Sequence, residues 1–403
     1  MNDATAETET ALRAFRARFP GTEGQVYMDV AARGLVSTSV RAEIDSYLDD
    51  RMRGGDKPAM FEAVERARAA FAELIGAPTE SVAHVKNISD GVNAVAACLD
   101  WRGGDNVVMA TALEHPANIF PWHNQAQLRD VRLKSIAVEA GVMPVEAMIA
   151  AIDKQTRAVA VSSVSFSPGY RTDLAPLASA CRAAGAILVV DAAQSAGIVQ
   201  TDVTKLGVDV LVASTQKGLL GLYGLGFMYV RPELAERLAP VYLSRMGVGL
   251  DSEHEAASGG FEAFRYAKGA RRFDVGNYNY LGAVAAGQAI RDLLDLGSET
   301  IEAHVFQLAA RLRDGLAQQG LPVFRAPTPE GNAHIVAVGS GLADAHDSTE
   351  DDEMTALHAH LVENGVALSI RRGVLRLSLH AYNDADDVAR VIDLARSWRA
   401  ASP

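Results

Sequence analysis

Residues 186–230 read AILVVDAAQSAGIVQTDVTKLGVDVLVASTQKGLLGLYGLGFMYV. Three short apolar runs stand out in this stretch: AILVV (186–190), DVLVA (209–213) and GFMYV (226–230). Runs so brief and so uniformly apolar suit strands buried on both faces, the pattern of a parallel or mixed sheet covered by helices. The first two end on polar residues, Asp191 in one case and Ser214-Thr215-Gln216-Lys217 in the other. Ligands of an open α/β sheet bind beyond the carboxyl ends of its strands, so these residues mark a candidate site.

Outward from there the same rhythm continues. SVAHV (81–85), NVVMA (106–110) and AVAVSS (158–163) are further strand candidates separated by helical stretches, which predicts an α/β domain. Residues 8–19 read as an amphipathic helix halted by Pro20-Gly21, and QVYMDVAARG as a strand running into a loop. Beyond about 295 the character changes. Helices over 299–319, 352–364 and 384–400 alternate with strands at HIVAVG (334–339) and VLRLSLH (374–380), around the polar loop GSGLADAHDSTEDDE. A chain of 403 residues exceeds one small core. We therefore expect a large domain over 26–290 and a smaller α+β domain formed by 1–25 and 291–403.

The bulk properties exclude more than they select. The net charge is −12 and no basic run occurs, which argues against nucleic acid and anionic membrane surfaces as partners. The start lacks the apolar core of a secretory signal, and no run of about eighteen apolar residues could span a bilayer. A cytoplasmic enzyme is the expectation. The two cysteines, Cys98 and Cys181, sit in apolar helical stretches and build neither a disulfide framework nor a metal site.

The polar residues that follow the strands suggest a chemistry. A lysine at a strand end can form an imine with an aldehyde cofactor. A carboxylate at a neighbouring strand end can pair with a pyridinium nitrogen and keep the ring an electron sink. Ser89-Asp90-Gly91 follows SVAHV and opens a helix, with Ser89 as its expected N-cap and first-turn N–H groups suited to a phosphate. Glu114-His115-Pro116 follows NVVMA.

These segments, in this order, resemble the class V aminotransferases of pyridoxal-5′-phosphate (PLP) fold type I, which include cysteine desulfurases, selenocysteine lyases and isopenicillin N epimerases. The resemblance runs from about Tyr27 to the C-terminus. It implies PLP as cofactor and a homodimer with active sites at the interface. EHPANIFPW is similar to the segment whose histidine stacks on the cofactor ring, here His115. DAAQSAG resembles the segment that gives Asp191 to the pyridine nitrogen and Gln194 to the ring hydroxyl. STQKGLLGLYGLGFMYV matches the lysine segment, with Lys217 as the Schiff base and Ser214 and Gln216 as phosphate contacts. NISDGVN implies Ser89 and Asp90 at the phosphate, and RRFDVGNYN implies Asn277 reaching it from the neighbouring subunit. VLRLSLHAYND resembles the segment whose arginine, Arg376, clamps the substrate carboxylate. Arg33, in DVAARGLV, borders the active site in this family and is a candidate for a second carboxylate; Arg245 in YLSRMG is weighed beside it.

Two departures narrow the activity. Desulfurases carry a nucleophilic cysteine on a loop shortly before the carboxylate-binding arginine, whereas VALSIRRGVLRLSLH passes from strand to strand without that loop. Phe166, in SVSFSPG, stands where those enzymes place an asparagine, and Gln216 where they place a histidine. Transamination is accordingly the expected reaction. A β-lyase cleaving a C–S or related bond and an amino-acid epimerase are the alternatives, and a PLP-binding sensor without turnover is a further one.

Overall fold

A computed structural model describes residues 3–249, 264–341 and 347–401. Its centre is a sheet of seven described strands: β1 (Val82–Val85), β2 (Asn106–Met109), β3 (Arg132–Ser135), β4 (Thr156–Ser162), β5 (Ile187–Asp191), β6 (Val210–Ser214) and β7 (Gly226–Val230). Their order across the sheet is β1-β7-β6-β5-β4-β2-β3. β7 runs antiparallel to both of its neighbours and the other pairs are parallel, so β1 to β6 end on one rim. The six apolar runs anticipated from sequence are all strands of this sheet. Every residue of β1, β2, β5, β6 and β7 is buried.

The strand that sequence reading did not anticipate is β3. Arg132 and Ser135 at its ends are exposed and Leu133 and Lys134 half-buried, so this edge strand, paired on one side only, has no fully buried residue. Helices cover both faces, with separate apolar clusters on the two sides of the sheet. Helix Tyr280–Leu296 packs on Thr38–Arg51 and Lys57–Leu74, and a turn at Gly297 leads into Ser298–Gln318.

The C-terminal third builds a second, antiparallel sheet of β8 (Ile335–Val338), β9 (Ser369–Arg371) and β10 (Val374–Ser378), in the order β8-β10-β9. It is accompanied by helices Ser298–Gln318, Asp352–Glu363 and Ala385–Ala401. Part of the anticipated polar loop, 342–346, lies outside the described residues. The N-terminal helix spans Asp3–Arg16, earlier than its expected 8–19, and Arg16 ties it to the C-terminal helix through Asp387 at 2.8 Å. Val26–Tyr27 pairs with Val366–Ala367, and Asp29 bridges to Ser378. The loop carrying Asp29 and Arg33 is thereby pinned to the C-terminal third. No helix among the described residues is long and apolar enough to cross a membrane.

Candidate active site

The shared rim of the large sheet encloses a cavity of about 210 Å3 lined by residues from five strand ends, among them Ser89, His115, Asp191, Gln194, Ser214 and Lys217. Asp191 is the last residue of β5 and 4% exposed, and one carboxylate oxygen accepts from Ala193 N at 2.8 Å. Burial raises its pKa, opposed by that hydrogen bond and by the charge of Lys217. A carboxylate so enclosed needs a cation beside it to remain ionised.

Lys217 follows β6 on a loop that is held from two sides. Gly34 N donates to Gln216 O at 2.7 Å, and a Cβ on Gly34 would lie 2.5 Å from Lys217 O. Gly197, at φ +85°, passes so close that a Cβ would meet Gly218 O at 2.2 Å. Only glycine fits either contact. His380 Nε2 sits 2.9 Å from Gly218 O on the far side. Burial lowers the Lys217 amine from 10.5 to about 8; Asp191 pulls it upward, and the charges of Arg376 and Arg371 push it further down.

Gln194 donates to Ala31 O at 3.1 Å, while its Oε1 is buried with no protein partner. His115 caps helix Pro116–Arg129 through Nδ1, which accepts from Ala117 N at 3.1 Å. Its ring stands edge-on to Phe166, with centroids 5.4 Å apart. Ser214 is buried and Gln216 half-buried on the same wall.

The helix after β1 spans Ile88–Cys98, and its N-cap is Asn87, not Ser89. Asn87 has the extended backbone of a cap, and its side chain accepts from Asp90 N at 3.0 Å. Ser89 therefore lies inside the first turn, where N–H groups lack intrahelical acceptors, and it lines the cavity. Asp90 turns the other way. Its carboxylate accepts from Lys86 N at 2.7 Å, and it borders a neighbouring depression of about 490 Å3 together with Asn277. The structure thus separates Asp90 and Asn277 from the residues around Lys217 within one chain.

Arg376 is on β10, 2% exposed and set behind Phe166, whose carbonyl accepts from Nη1 at 3.0 Å. Its Nε donates to Ser369 Oγ at 3.2 Å. Burial depresses its pKa from 12.5 to about 10. Arg33 and Arg245 are exposed, and Arg33 O accepts from the Tyr27 hydroxyl at 2.8 Å.

Two residues here had no assigned role in the sequence reading. Asp29, 3.9 Å from Arg376, is a buried carboxylate whose Oδ1 has no hydrogen-bond partner. Burial raises its pKa against the pull of Ser369, Arg376, Arg371 and Arg33. Its place in YMDVAARG, between a strand and a loop, was the only available signal. Glu114 is wholly buried beside His115 and accepts from Ser162 N at 2.8 Å, Ser162 Oγ at 2.6 Å and Asn118 Nδ2 at 2.8 Å.

Burial lifts Glu114 from 4.5 to about 7 despite these bonds, and Asp191 adds repulsion. A carboxyl whose folded pKa is raised contributes stability below its unfolded pKa and loses it as the pH climbs through the folded value. Wild-type stability is therefore expected to decline between pH 4.5 and 7 on account of this residue. E114Q should flatten that part of the profile, which denaturant midpoints at pH 5 and pH 8 would measure; parallel profiles in the two proteins would refute the assignment.

Comparison with known proteins accords with this geometry. The family described as Aminotransferase class-V matches residues 26–391. An uncharacterized aminotransferase of Bacillus subtilis, YcbU, is 30% identical over 94% of this chain and 96% of its own length. A probable cysteine desulfurase of Pyrococcus abyssi is 28% identical over 96% of this chain and 98% of its own. Among solved structures, the apo cysteine desulfurase of Thermococcus onnurineus superposes with a TM-score of 0.82 at 26% identity, covering 96% of this chain and 97% of that one.

Proposed function

Since the chain belongs to the class V aminotransferase family, whose cofactor is PLP, we propose that it transfers the α-amino group of an amino acid to a keto acid at the Lys217 cavity. The residues present suit that cofactor: a buried carboxylate in need of a cation, a buried Gln194 oxygen without a partner, and an amine of lowered pKa. Asp191 would hold the pyridine nitrogen, Gln194 the ring hydroxyl, His115 the ring face, and Ser89, Ser214 and Gln216 the phosphate. Asn277 and the Asp90 region would complete the phosphate site across a homodimer interface, beside the exposed Val241, Tyr242 and Val275. We assign 26–290 to the large domain, the remainder to the small one, and the enzyme to the cytoplasm.

Bound there, the cofactor supplies an aldehyde that captures amines and a ring that absorbs the electron pair left at the α-carbon. Lys217 carries the proton. With a pKa near 8 its amine is neutral in a useful fraction at physiological pH, so it can take a proton from the α-carbon and deliver it elsewhere. Arg376 receives the α-carboxylate, for which a planar guanidinium is the matching donor, and so orients the α-hydrogen.

One observation carries the choice of transamination over desulfuration. Between β9 and β10, Arg371 pairs with Val374, which leaves only Arg372 and Gly373 in the turn, both at positive φ (51° and 84°). This is a tight hairpin. It holds no cysteine, and neither Cys98 nor Cys181 lines the cavity. The desulfurase names among the relatives keep β-elimination as the second reading.

The deciding experiment adds L- and D-amino acids to the holoenzyme without any keto acid and follows the cofactor's absorbance and the released products. Stoichiometric keto acid with conversion to the pyridoxamine form is the expected result. Continued release of pyruvate, ammonia or sulfide would replace transamination by lyase chemistry. A racemised amino acid would make the enzyme an epimerase, and binding of PLP without any reaction would make it a sensor.

A further inference from the structure

The β9–β10 hairpin places a second guanidinium beside Arg376. Ser369 pairs with Arg376 and Arg371 with Val374, so side-chain alternation puts Ser369, Arg371, Val374 and Arg376 on one face of the hairpin. Arg371 and Arg376 are diagonal neighbours there, with backbones about 7–8 Å apart and long side chains able to converge. Both also hold the segment that walls the cavity. Phe166 O accepts from Arg376, and Ser167 Oγ donates to Arg371 O at 3.4 Å. Phe166 itself lines the cavity.

Arg371 is engaged lightly. Its guanidinium donates to Ile370 O at 2.7 Å and pairs with Asp347 Oδ1 at 2.6 Å. Asp347 keeps 64% of its side chain exposed. Because Asp347 is mostly solvated, another carboxylate can take its place on Arg371. The charge of Arg371 already reaches Lys217, Asp29 and Arg376.

We propose that Arg371 is a specificity residue that receives an acidic group on the substrate side chain, with Asp347 occupying that place when no substrate is bound. The inference rests on the amino-acid reading given above and narrows it. The substrate class is an L-amino acid with a short anionic side chain, such as aspartate, glutamate or cysteine sulfinate. Arg376 takes the α-carboxylate and Arg371 the distal acid, two cations on one face of the hairpin for two anions along one molecule.

The test uses holoenzyme and compares kcat/KM for aspartate, glutamate and cysteine sulfinate with asparagine, glutamine and alanine. Losing one partner of a desolvated charge pair costs at least about 2 kcal/mol, so the acid-over-amide ratio should be roughly 30-fold or more and fall toward unity in R371Q, mainly through KM. R371K should recover part of it. A merely structural arginine would lower acids and amides alike, and that result, or a wild type indifferent to the acid, overturns the proposal. Calorimetric titration with succinate and butyrate gives a readout free of turnover. If wild type prefers succinate and R371Q does not, while no amino acid reacts, the acid site stands and the proposed reaction falls. If neither protein distinguishes the two ligands, the acid site falls whatever the turnover.

Discussion

K217A is expected to lower turnover of any amino acid by roughly 10³-fold or more, because in the proposed mechanism one side chain provides both the covalent attachment of the cofactor and the general base. Lys217 sits at the end of β6 within the charge field of Asp191, on a loop that Gly34 and Gly197 approach too closely for any other residue. The expected loss is chemical rather than structural, and a second measurement separates the two. The buried amine has its pKa lowered from 10.5 to about 8, so the unfolded chain binds more protons across that interval. By linkage this residue makes wild-type stability rise between pH 8 and pH 10.5 and burdens the folded state below pH 8. Cofactor-free K217M should therefore be at least as stable as wild type at pH 7 and should lack that slope. Activity of K217A within tenfold of wild type would remove Lys217 from the chemistry, and a large loss of stability in K217M would contradict its burial as a strained cation.

Much of this arrangement was legible because strand ends and buried carboxylates leave marks in sequence. AILVV (186–190) and VLVA (210–213) are apolar throughout since both faces of β5 and β6 are covered, and the first polar residue after each has nowhere to go but the rim. β3 was invisible for the converse reason: none of its four residues is fully buried, so RLKS carries no apolar signature. The helix cap was displaced by two residues because Asn87 and Ser89 are both able caps, and only the extended backbone at Asn87 decides between them. Asp29 and Arg371 were illegible as site residues because their neighbourhood is tertiary. Asp29 meets Arg376 across 347 positions of sequence, and Arg371 gains its meaning from a two-residue turn that sets its register against Arg376. Local pattern reports burial and periodicity; it does not report which charges a hairpin brings side by side.

Asp191 supplies the sharpest remaining test, since its substitution by asparagine preserves shape and removes charge. In D191N the side-chain oxygen that accepts from Ala193 N can stay in place, so the β5 end should keep its geometry. What disappears is the anion that, on the proposed assignment, would pair with the cofactor's protonated ring nitrogen. Breaking a buried charge pair by removing one partner costs about 3–5 kcal/mol. If that cost falls on the charge-bearing transition state it amounts to roughly 10²–10⁴ in rate. The loss should appear in kcat, with KM nearly unchanged, because the proposed mechanism gives substrate binding to Arg376 and not to Asp191. Folding should respond in the opposite sense. Burial raises the pKa of Asp191 in the cofactor-free protein, so its ionised form burdens the fold as the pH rises through that value, and D191N should relieve the burden at neutral pH. The two signs together are diagnostic: slower chemistry in the holoenzyme and no loss of stability in the cofactor-free protein. A D191N enzyme that keeps its kcat would show that the carboxylate is a structural cap of β5, and the electron-sink role would have to be sought elsewhere on the rim.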